Sequence, residues 1–275
     1  MERVAFQGEK GAYSEDAAYH YFGNQIRCVP KDTFKNVFHA VLSSECEYGI
    51  IPIENTTTGS IHHNVDLLLE FNLSIVGEVI LRIQHNLLAL KKIRLKDIQK
   101  VYSHPQALEQ CSHFLNSLKN IEIIPMYDTA GSARYIAEEK STIGAAIASH
   151  RAGTVYNLHV IKKDIENNHQ NYTRFLIISR TLNNPKQGGK TSIVFSTKNI
   201  PGALFKSLSV FALRDINLLK IESRPLRKGP WEYWFYLDFE GSIEEKACRN
   251  AINHLKEITD FLKILGSYPN GKVFE

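Results

Sequence analysis

The sequence predicts an α/β protein in two parts, a two-lobed, doubly wound region followed by a smaller α+β unit. Three observations carry this. Strand-like and helix-like stretches alternate along the first 165 or so residues, the pattern of a mostly parallel sheet covered by helices on both faces. The stretch "TLNNPKQGGK" at 181–190, with two Asn, a Pro and two Gly, then interrupts that rhythm as a linker would. Beyond it the order becomes βαββαβ in about 80 residues, the ferredoxin-like layout of a four-stranded antiparallel sheet with two helices on one face.

Each element has its own warrant. "RVAFQG" and "IRCVP" read as short strands, separated by "SEDAAYHYF", a helix with Ser14 as cap and two acids in its first turn. "DTFKNVFHAVLSS" puts Phe34, Val37, Phe38, Val41 and Leu42 on one helical stripe. "YGIIPIEN" is an apolar strand, "GSIHHNVDLLLE" a helix, and "LSIVGEVILRIQ" alternates with period two like a long strand. There follow the strand "KVYS", a helix opened by Pro105 and running through "QALEQCSHFLNSL", the strand "IEIIP", the helix "TAGSARYIAEE" and the strand "TIGAAIAS". "NYTRFLIISR" carries the buried-strand run Phe175 to Ile178. After the linker come strand "TSIVFST", helix "PGALFKSLSVFALR", strands "INLLKIESRP" and "WEYWFYLDFE", helix "SIEEKACRNAINHLKEI" and strand "DFLKILGSY". The two alternating blocks, roughly 1–80 and 81–165, imply two lobes with a cleft between them and crossing strands as the hinge.

Composition excludes several classes. The chain has 275 residues, 43% apolar and 23% charged, with a net charge of +4 and no Lys/Arg block of the nucleic-acid type. No apolar span is of membrane length and the start lacks a signal-peptide core, so a cytoplasmic protein is expected. Cys28, Cys46, Cys111 and Cys248 are far apart and form no C-x-x-C pair; they read as small hydrophobes in a reducing compartment. Adjacent His62 and His63 point different ways on a helix, which argues against a shared metal.

Ligands of doubly wound sheets gather at the carboxyl ends of strands. "QGEKGAYS", "IENTTTGS" and "SHPQALEQ" lie there, and "NYTRF" stands at the mouth of the last strand. The hydroxyl-rich "TTTGS" leads into a helix and suits a carboxylate or phosphate, or simply a capped turn. Gly8-Glu9-Lys10-Gly11 has neither dinucleotide nor Walker spacing, and no nucleophile elbow or H-E-x-x-H is present. The residues alone give a cleft for a small anion plus a ferredoxin-like module.

Taken together, "FQGEKGAYSEDAA", "GIIPIENTTTGSI", "VYSHPQALEQC", "NYTRF" and "PGALFKSLSVFALRDINLLKIESRP" resemble prephenate dehydratase in its bacterial two-part form, in family order over essentially the whole chain. The resemblance implies a catalytic region at 1–182, with lobes at about 1–80 plus 165–182 and at 81–164, of the type II periplasmic-binding-protein kind. It implies a linker at 183–190 and an ACT domain at 191–275. The family usually reads E-N-S, a variable residue, then E-G-S; here Glu54-Asn55-Thr56-Thr57-Thr58-Gly59-Ser60 lacks the second glutamate and keeps a hydroxyl at 56.

The implied reaction is the decarboxylating dehydration of prephenate to phenylpyruvate, water and carbon dioxide, in phenylalanine biosynthesis, without cofactor or metal. By correspondence Thr173 is the hydroxyl nearest the leaving oxygen, acting directly or through a relay such as Glu54. Arg174 either clamps a substrate carboxylate or braces the strand from behind, since neighbouring strand residues face opposite ways. Asn55, Thr56, Ser103 and Gln110 would bind the substrate, with Phe175 as an apolar wall. In the second domain Gly202, Ala203, Leu204 and Phe205, with Glu222, Ser223, Arg224 and Pro225, would bind L-phenylalanine between paired modules of a homodimer or homotetramer. Two alternatives stand beside this: an arogenate dehydratase with the same chemistry on an amino acid, and a non-catalytic amino-acid-binding regulator.

Overall fold

The computed structural model describes residues 1–181, 185–186, 188–225 and 233–275. The first lobe is built from β1 (Glu2–Gln7), α1 (Tyr13–Phe22), β2 (Ile26–Lys31), α2 (Phe34–Leu42), β3 (Tyr48–Asn55), β4 (Gly59–Ser60), α3 (His62–Glu70) and β5 (Ser74–Arg82). The chain then crosses to the second lobe: β6 (Asn86–Ala89), a 3₁₀ turn, β7 (Lys100–Ser103), α4 (Pro105–Gln110), α5 (Ser112–Ser117), β8 (Glu122–Pro125), α6 (Thr129–Glu138), β9 (Gly144–Ala148), α7 (His150–Val155) and β10 (His159–Lys162). It returns through β11 (Tyr172–Ser179). The C-terminal unit comprises β12 (Lys190–Ser196), α8 (Ala203–Ala212), β13 (Leu218–Pro225), β14 (Tyr233–Glu240), α9 (Lys246–Ile258) and β15 (Phe261–Tyr268), followed by β16 (Lys272–Phe274).

The strands form three sheets. The first runs β16-β5-β11-β3-β1-β2 with β4 hanging from β3, and the second runs β10-β6-β9-β7-β8. Each lobe has a parallel centre, β2-β1-β3 in one and β8-β7-β9 in the other. The strands that come from the crossings, β11 and β6, join antiparallel. The sheets are therefore mixed, because a chain that crosses twice must enter each lobe against the direction of its βαβ units. The two crossings, 83–85 and 163–171, form the hinge side of the cleft.

The third sheet runs β13-β14-β12-β15, all antiparallel, which is the ferredoxin-like order read from the sequence. Helices α8 and α9 cover one face around Ile193, Phe195, Phe211, Phe239 and Leu255. The other face is buried against the first lobe, where Val194, Tyr236, Leu265 and Tyr268 share a core with Phe38, Leu68, Phe71 and Ile178. Strand β16 leaves this unit and extends the first sheet parallel to β5, so residues 191–275 do not form a self-contained unit. The expected linker falls partly outside the described residues, as do 226–232.

Local details depart from expectation for identifiable reasons. Helix α1 begins one residue before Ser14, which is buried inside it; the reach-back to Gly11 N–H is made by the Glu15 carboxylate at 2.6 Å. Thr33 caps α2 through Asn36 N–H as its type favours, but Leu42 is left 45% exposed at the end of the stripe. The single helix expected after Pro105 breaks at Cys111, where Asn167 accepts from His113 N–H and donates its own N–H to the Gln110 carbonyl. Helix α8 starts at Ala203, after a left-handed Gly202, rather than at Pro201. Strands β6, β10 and β16 and helix α7 have no counterpart in the sequence reading; all are six residues or shorter. Gly11 is required by close approach: at φ +87° a Cβ would lie 2.7 Å from Ala152 Cα in the opposite lobe.

Candidate active site

A cleft of about 460 Å³ lies between the lobes, lined by strand ends and helix starts. Thr173 stands directly opposite Asn55 in the β11–β3 pairing, and both side chains face the cleft. Thr173 is 8% exposed, and its Oγ1 accepts from Asn55 Nδ2 at 2.9 Å. With that lone pair used, the hydroxyl hydrogen is left for a molecule in the cleft. Asn55 is itself held at both ends: Oδ1 accepts from the N–H groups of Thr57 and Thr58, and Nδ2 also reaches Asn171 Oδ1 at 2.7 Å. Phe34, Pro52, Ile61, Ile83 and Phe175 supply apolar wall.

The first turn of α1 enters this space through Ala12, Tyr13 and Ser14, and no side chain caps it. Its N–H groups form a neutral seat for an anion. From the second lobe come α4, capped by His104, and α6, capped by Asp128. Burial lowers the pKa of His104 and raises that of Asp128. Asp128 Oδ1 accepts from Gly131 N–H, and the Glu9 main-chain N–H also bears on its carboxylate, which lies beside Gly8. Among the described residues, no lysine or arginine lines the cleft.

The lobes are tied across the gap. Ser149 donates to the Gly11 carbonyl at 2.6 Å, and Arg151 pairs with Glu15 at 3.0 Å. Gln106 donates to Thr58 Oγ1 at 3.0 Å, so Thr58 acts as a bridge point between lobes.

Other expected site residues are not in the cleft. Arg174 points to the opposite face of β11, where it pairs with Glu78 at 2.8 Å and Asp238 at 2.7 Å and reaches Tyr268. It braces the strand against the C-terminal unit and clamps nothing in the cleft, as strand alternation dictates. Burial disfavours its charge, but Asp238, Tyr268, Tyr236 and Glu78 outweigh this and raise its pKa. Glu54 lies on that same far face, beside Lys220 at 3.1 Å and Arg174 at 3.8 Å, so it is out of line for a relay to Thr173. Ser103 is fully buried and donates to the Ile147 carbonyl at 2.7 Å. Thr56 is exposed, and its hydroxyl joins the Gln170 carbonyl and Tyr172 N–H.

Gln110 and Phe175 do line the cleft. Sequence reading missed Tyr13, His85, Asp128 and Asn171. Asn171 stood in plain view two residues before Thr173, and His85 could have been found as the polar residue just past the end of a long apolar strand.

In the C-terminal unit, Gly202 and Phe205 are exposed at the start of α8 while Ala203 and Leu204 are half-buried. Glu222 and Arg224 face the first lobe, where Glu222 meets His62 at 2.7 Å and Ser60, and Arg224 meets Asp66 at 3.0 Å. Ser223 and Pro225 are exposed. The eight residues thus occupy two places, and two of them are engaged with the first lobe.

A two-lobed α/β cleft lined by neutral donors and helix starts, with an appended ferredoxin-like unit, is the architecture of a small-molecule-binding protein. The family profile for prephenate dehydratase matches residues 4–183, and the chain belongs to that family. It is 47% identical over 278 residues to "Arogenate dehydratase/prephenate dehydratase 2, chloroplastic" of Arabidopsis thaliana, covering 97% of this chain and 72% of the relative. It is 38% identical over 274 residues to the "Bifunctional chorismate mutase/prephenate dehydratase" of Aquifex aeolicus, covering 99% and 75%. The crystal structure of a prephenate dehydratase in complex with L-Phe from Arthrobacter aurescens superimposes with a TM-score of 0.88 at 29% identity, covering 97% of this chain and 89% of that one.

Proposed function

We propose that the cleft carries out the decarboxylating dehydration of prephenate or of its amino-acid analogue arogenate, giving phenylpyruvate or phenylalanine. The observation that carries this is the Thr173–Asn55 pair at the cleft floor, with an unused hydroxyl hydrogen facing the space. In the reaction the bond from the ring to its carboxylate breaks and carbon dioxide leaves. That electron pair completes the aromatic ring and expels the ring hydroxyl as its C–O bond opens. Thr173 donates its hydrogen to the departing oxygen. Negative charge building on Thr173 Oγ1 is stabilised by Asn55 Nδ2–H, a preorganised donor in a largely water-free place. Aromatisation supplies the driving force, so orientation and this donor are what the protein must provide. The α1 start and the Gln110 amide would seat the carboxylates.

One observation favours arogenate. Arogenate and prephenate carry the same two carboxylates and differ in an ammonium against a keto group, and the Asp128 carboxyl lining the cleft suits the ammonium. Among the relatives, the Petunia hybrida protein is named an arogenate dehydratase, the Arabidopsis protein carries both names and the Aquifex protein is named a prephenate dehydratase.

L-phenylalanine is the inferred effector, taken by the C-terminal unit, which resembles an ACT module; the Arthrobacter protein was crystallised with that amino acid. Ile200, Phe205 and Leu213 are more than half exposed on that unit, and the edge strand β13 presents Leu219 and Ile221. We infer that these faces pair two copies into at least a dimer. Among the described residues no helix is long and apolar enough to cross a membrane, and the proposal places the enzyme in the cytoplasm.

The test is incubation of the purified chain with each substrate in turn, with phenylpyruvate followed by ultraviolet absorbance and phenylalanine by amino-acid analysis. A higher kcat/KM for arogenate is expected. Tight binding of either compound without product would replace the enzyme by a binding protein.

A further inference from the structure

A chain of hydrogen-bonded side chains runs along the cleft floor from Asn55 to Tyr13. Amide and imidazole groups look alike from either side, so its direction has to be set by groups that cannot turn round. Asn55 provides them. Its Oδ1 accepts from the main-chain N–H groups of Thr57 at 2.9 Å and Thr58 at 3.1 Å, and its Nδ2 faces the Tyr172 carbonyl at 3.2 Å.

Each link as far as Gln110 then has one solution. Asn55 Nδ2 donates to Asn171 Oδ1 at 2.7 Å, so Asn171 turns its nitrogen to Gln110 Oε1 at 3.3 Å. The Gln110 oxygen accepts there, and His85 Nε2, 2.9 Å from the same oxygen, carries a hydrogen. Neutral His85 is then left with a bare Nδ1, and the Tyr13 hydroxyl, with one hydrogen to give, lies 2.8 Å from Nδ1 and 2.8 Å from the Gln84 carbonyl, so the two acceptors share it. The ring is 2% exposed, and burial lowers its pKa, so it is neutral. Glu166 accepts from the His85 main-chain N–H at 3.0 Å and fixes the backbone beneath the ring.

We propose that His85 is a positioning residue for substrate: as the Nε2–H tautomer it holds Gln110 Oε1 against the wall, so that Gln110 Nε2 faces an anionic group in the cleft. This rests on the dehydratase reading of the cleft. Gln110 Nε2 has no partner among the described residues, and with no lysine or arginine lining the cleft a carboxylate depends on neutral donors of this kind. A reversed amide would present oxygen lone pairs to the carboxylate. His85 and Asn171 are what oppose that reversal, and His85 makes the shorter bond.

Two measurements on the full-length chain test this. The first is the imidazole nitrogen spectrum of ¹⁵N-histidine-labelled wild-type protein near neutral pH. Nε2 protonated and Nδ1 bare is expected for His85; the opposite tautomer or an imidazolium would overturn the proposal. The second is kinetic. His85→Leu should raise KM about tenfold with kcat within about threefold, and His85→Gln, whose amide nitrogen reaches the same oxygen, should bring KM back to within about threefold of wild type. An unchanged KM in His85→Leu, or equal loss in both variants, would overturn it. If wild type turns over neither substrate, the dehydratase reading fails and this role with it, an outcome distinct from active wild type with unshifted variants.

Discussion

Thr173 has the shortest path from residue to chemistry, since its oxygen accepts from Asn55 and its hydrogen is unused. Thr173→Ala should lower kcat by about 10²- to 10⁴-fold with an unchanged circular dichroism spectrum, while Thr173→Ser keeps most activity. Activity near wild type in the alanine variant would remove the hydroxyl from the mechanism. His85 makes a separate prediction about pH. Burial lowers its folded pKa below the ordinary 6.5, so below that pH the unfolded chain binds the extra proton and the folded chain does not. This group's contribution is therefore complete above 6.5 and declines as pH falls toward the folded value. Urea titrations at pH 7.5 and pH 5.5 should show that His85→Gln loses less stability on acidification than wild type. At this scale the motifs pointed to Thr173, Gln110 and Phe175, all three of which line the cleft. Strand alternation places Glu54 and Arg174 on the far face, so of the two readings of Arg174 the structure gives the brace and not the clamp, and Glu54 lies away from Thr173.

At the scale of elements, the cleft depends on where α1 starts. Gly11, at φ +87°, lets the loop before α1 rest on Ala152, and the Ser149 and Arg151 contacts then hold it there. Gly11→Ala combines a left-handed backbone with a collision across the lobes and should destabilise the fold by at least about 1–2 kcal/mol, read from urea unfolding. Unchanged stability would mean that the lobes are free to part at that point. The long elements with clear period, such as α2, β5 and α9, were legible because their own apolar pattern makes them. The break at Cys111 was not, because Asn167, more than 50 residues away, causes it.

At the scale of the whole molecule, the C-terminal sheet is fastened to the catalytic sheet by charge. Arg174, one residue from Thr173, meets Asp238 of β14, which is fully buried and also hydrogen-bonded by Ser192. Asp238→Asn leaves the guanidinium short of its closest partner and should destabilise the protein by about 3–5 kcal/mol, seen as a large fall in Tm. Lys263 adds a second fastening by donating to the carbonyls of Leu68, Leu69 and Phe71 at the end of α3. Through such contacts effector occupancy has a route to the cleft. Saturating L-phenylalanine should raise Tm and shift kcat/KM by about 5- to 150-fold, corresponding to a coupling of about 1–3 kcal/mol. Calorimetry of the full chain showing no heat of phenylalanine binding would remove the sensor role.

By itself the sequence determined the α/β lobes, the ferredoxin-like order, the family and the hydroxyl to which the proposed chemistry is assigned. Those follow from local apolar periods and short motifs, which act within a few residues. Only the tertiary structure decided that Glu54 and Arg174 serve the seam between units, that β16 completes the catalytic sheet, and that Asn171, Gln110 and His85 form one directed chain. Such outcomes depend on which distant segments meet, and hydrogen-bond direction in particular is set by main-chain groups that come together only when both lobes have folded.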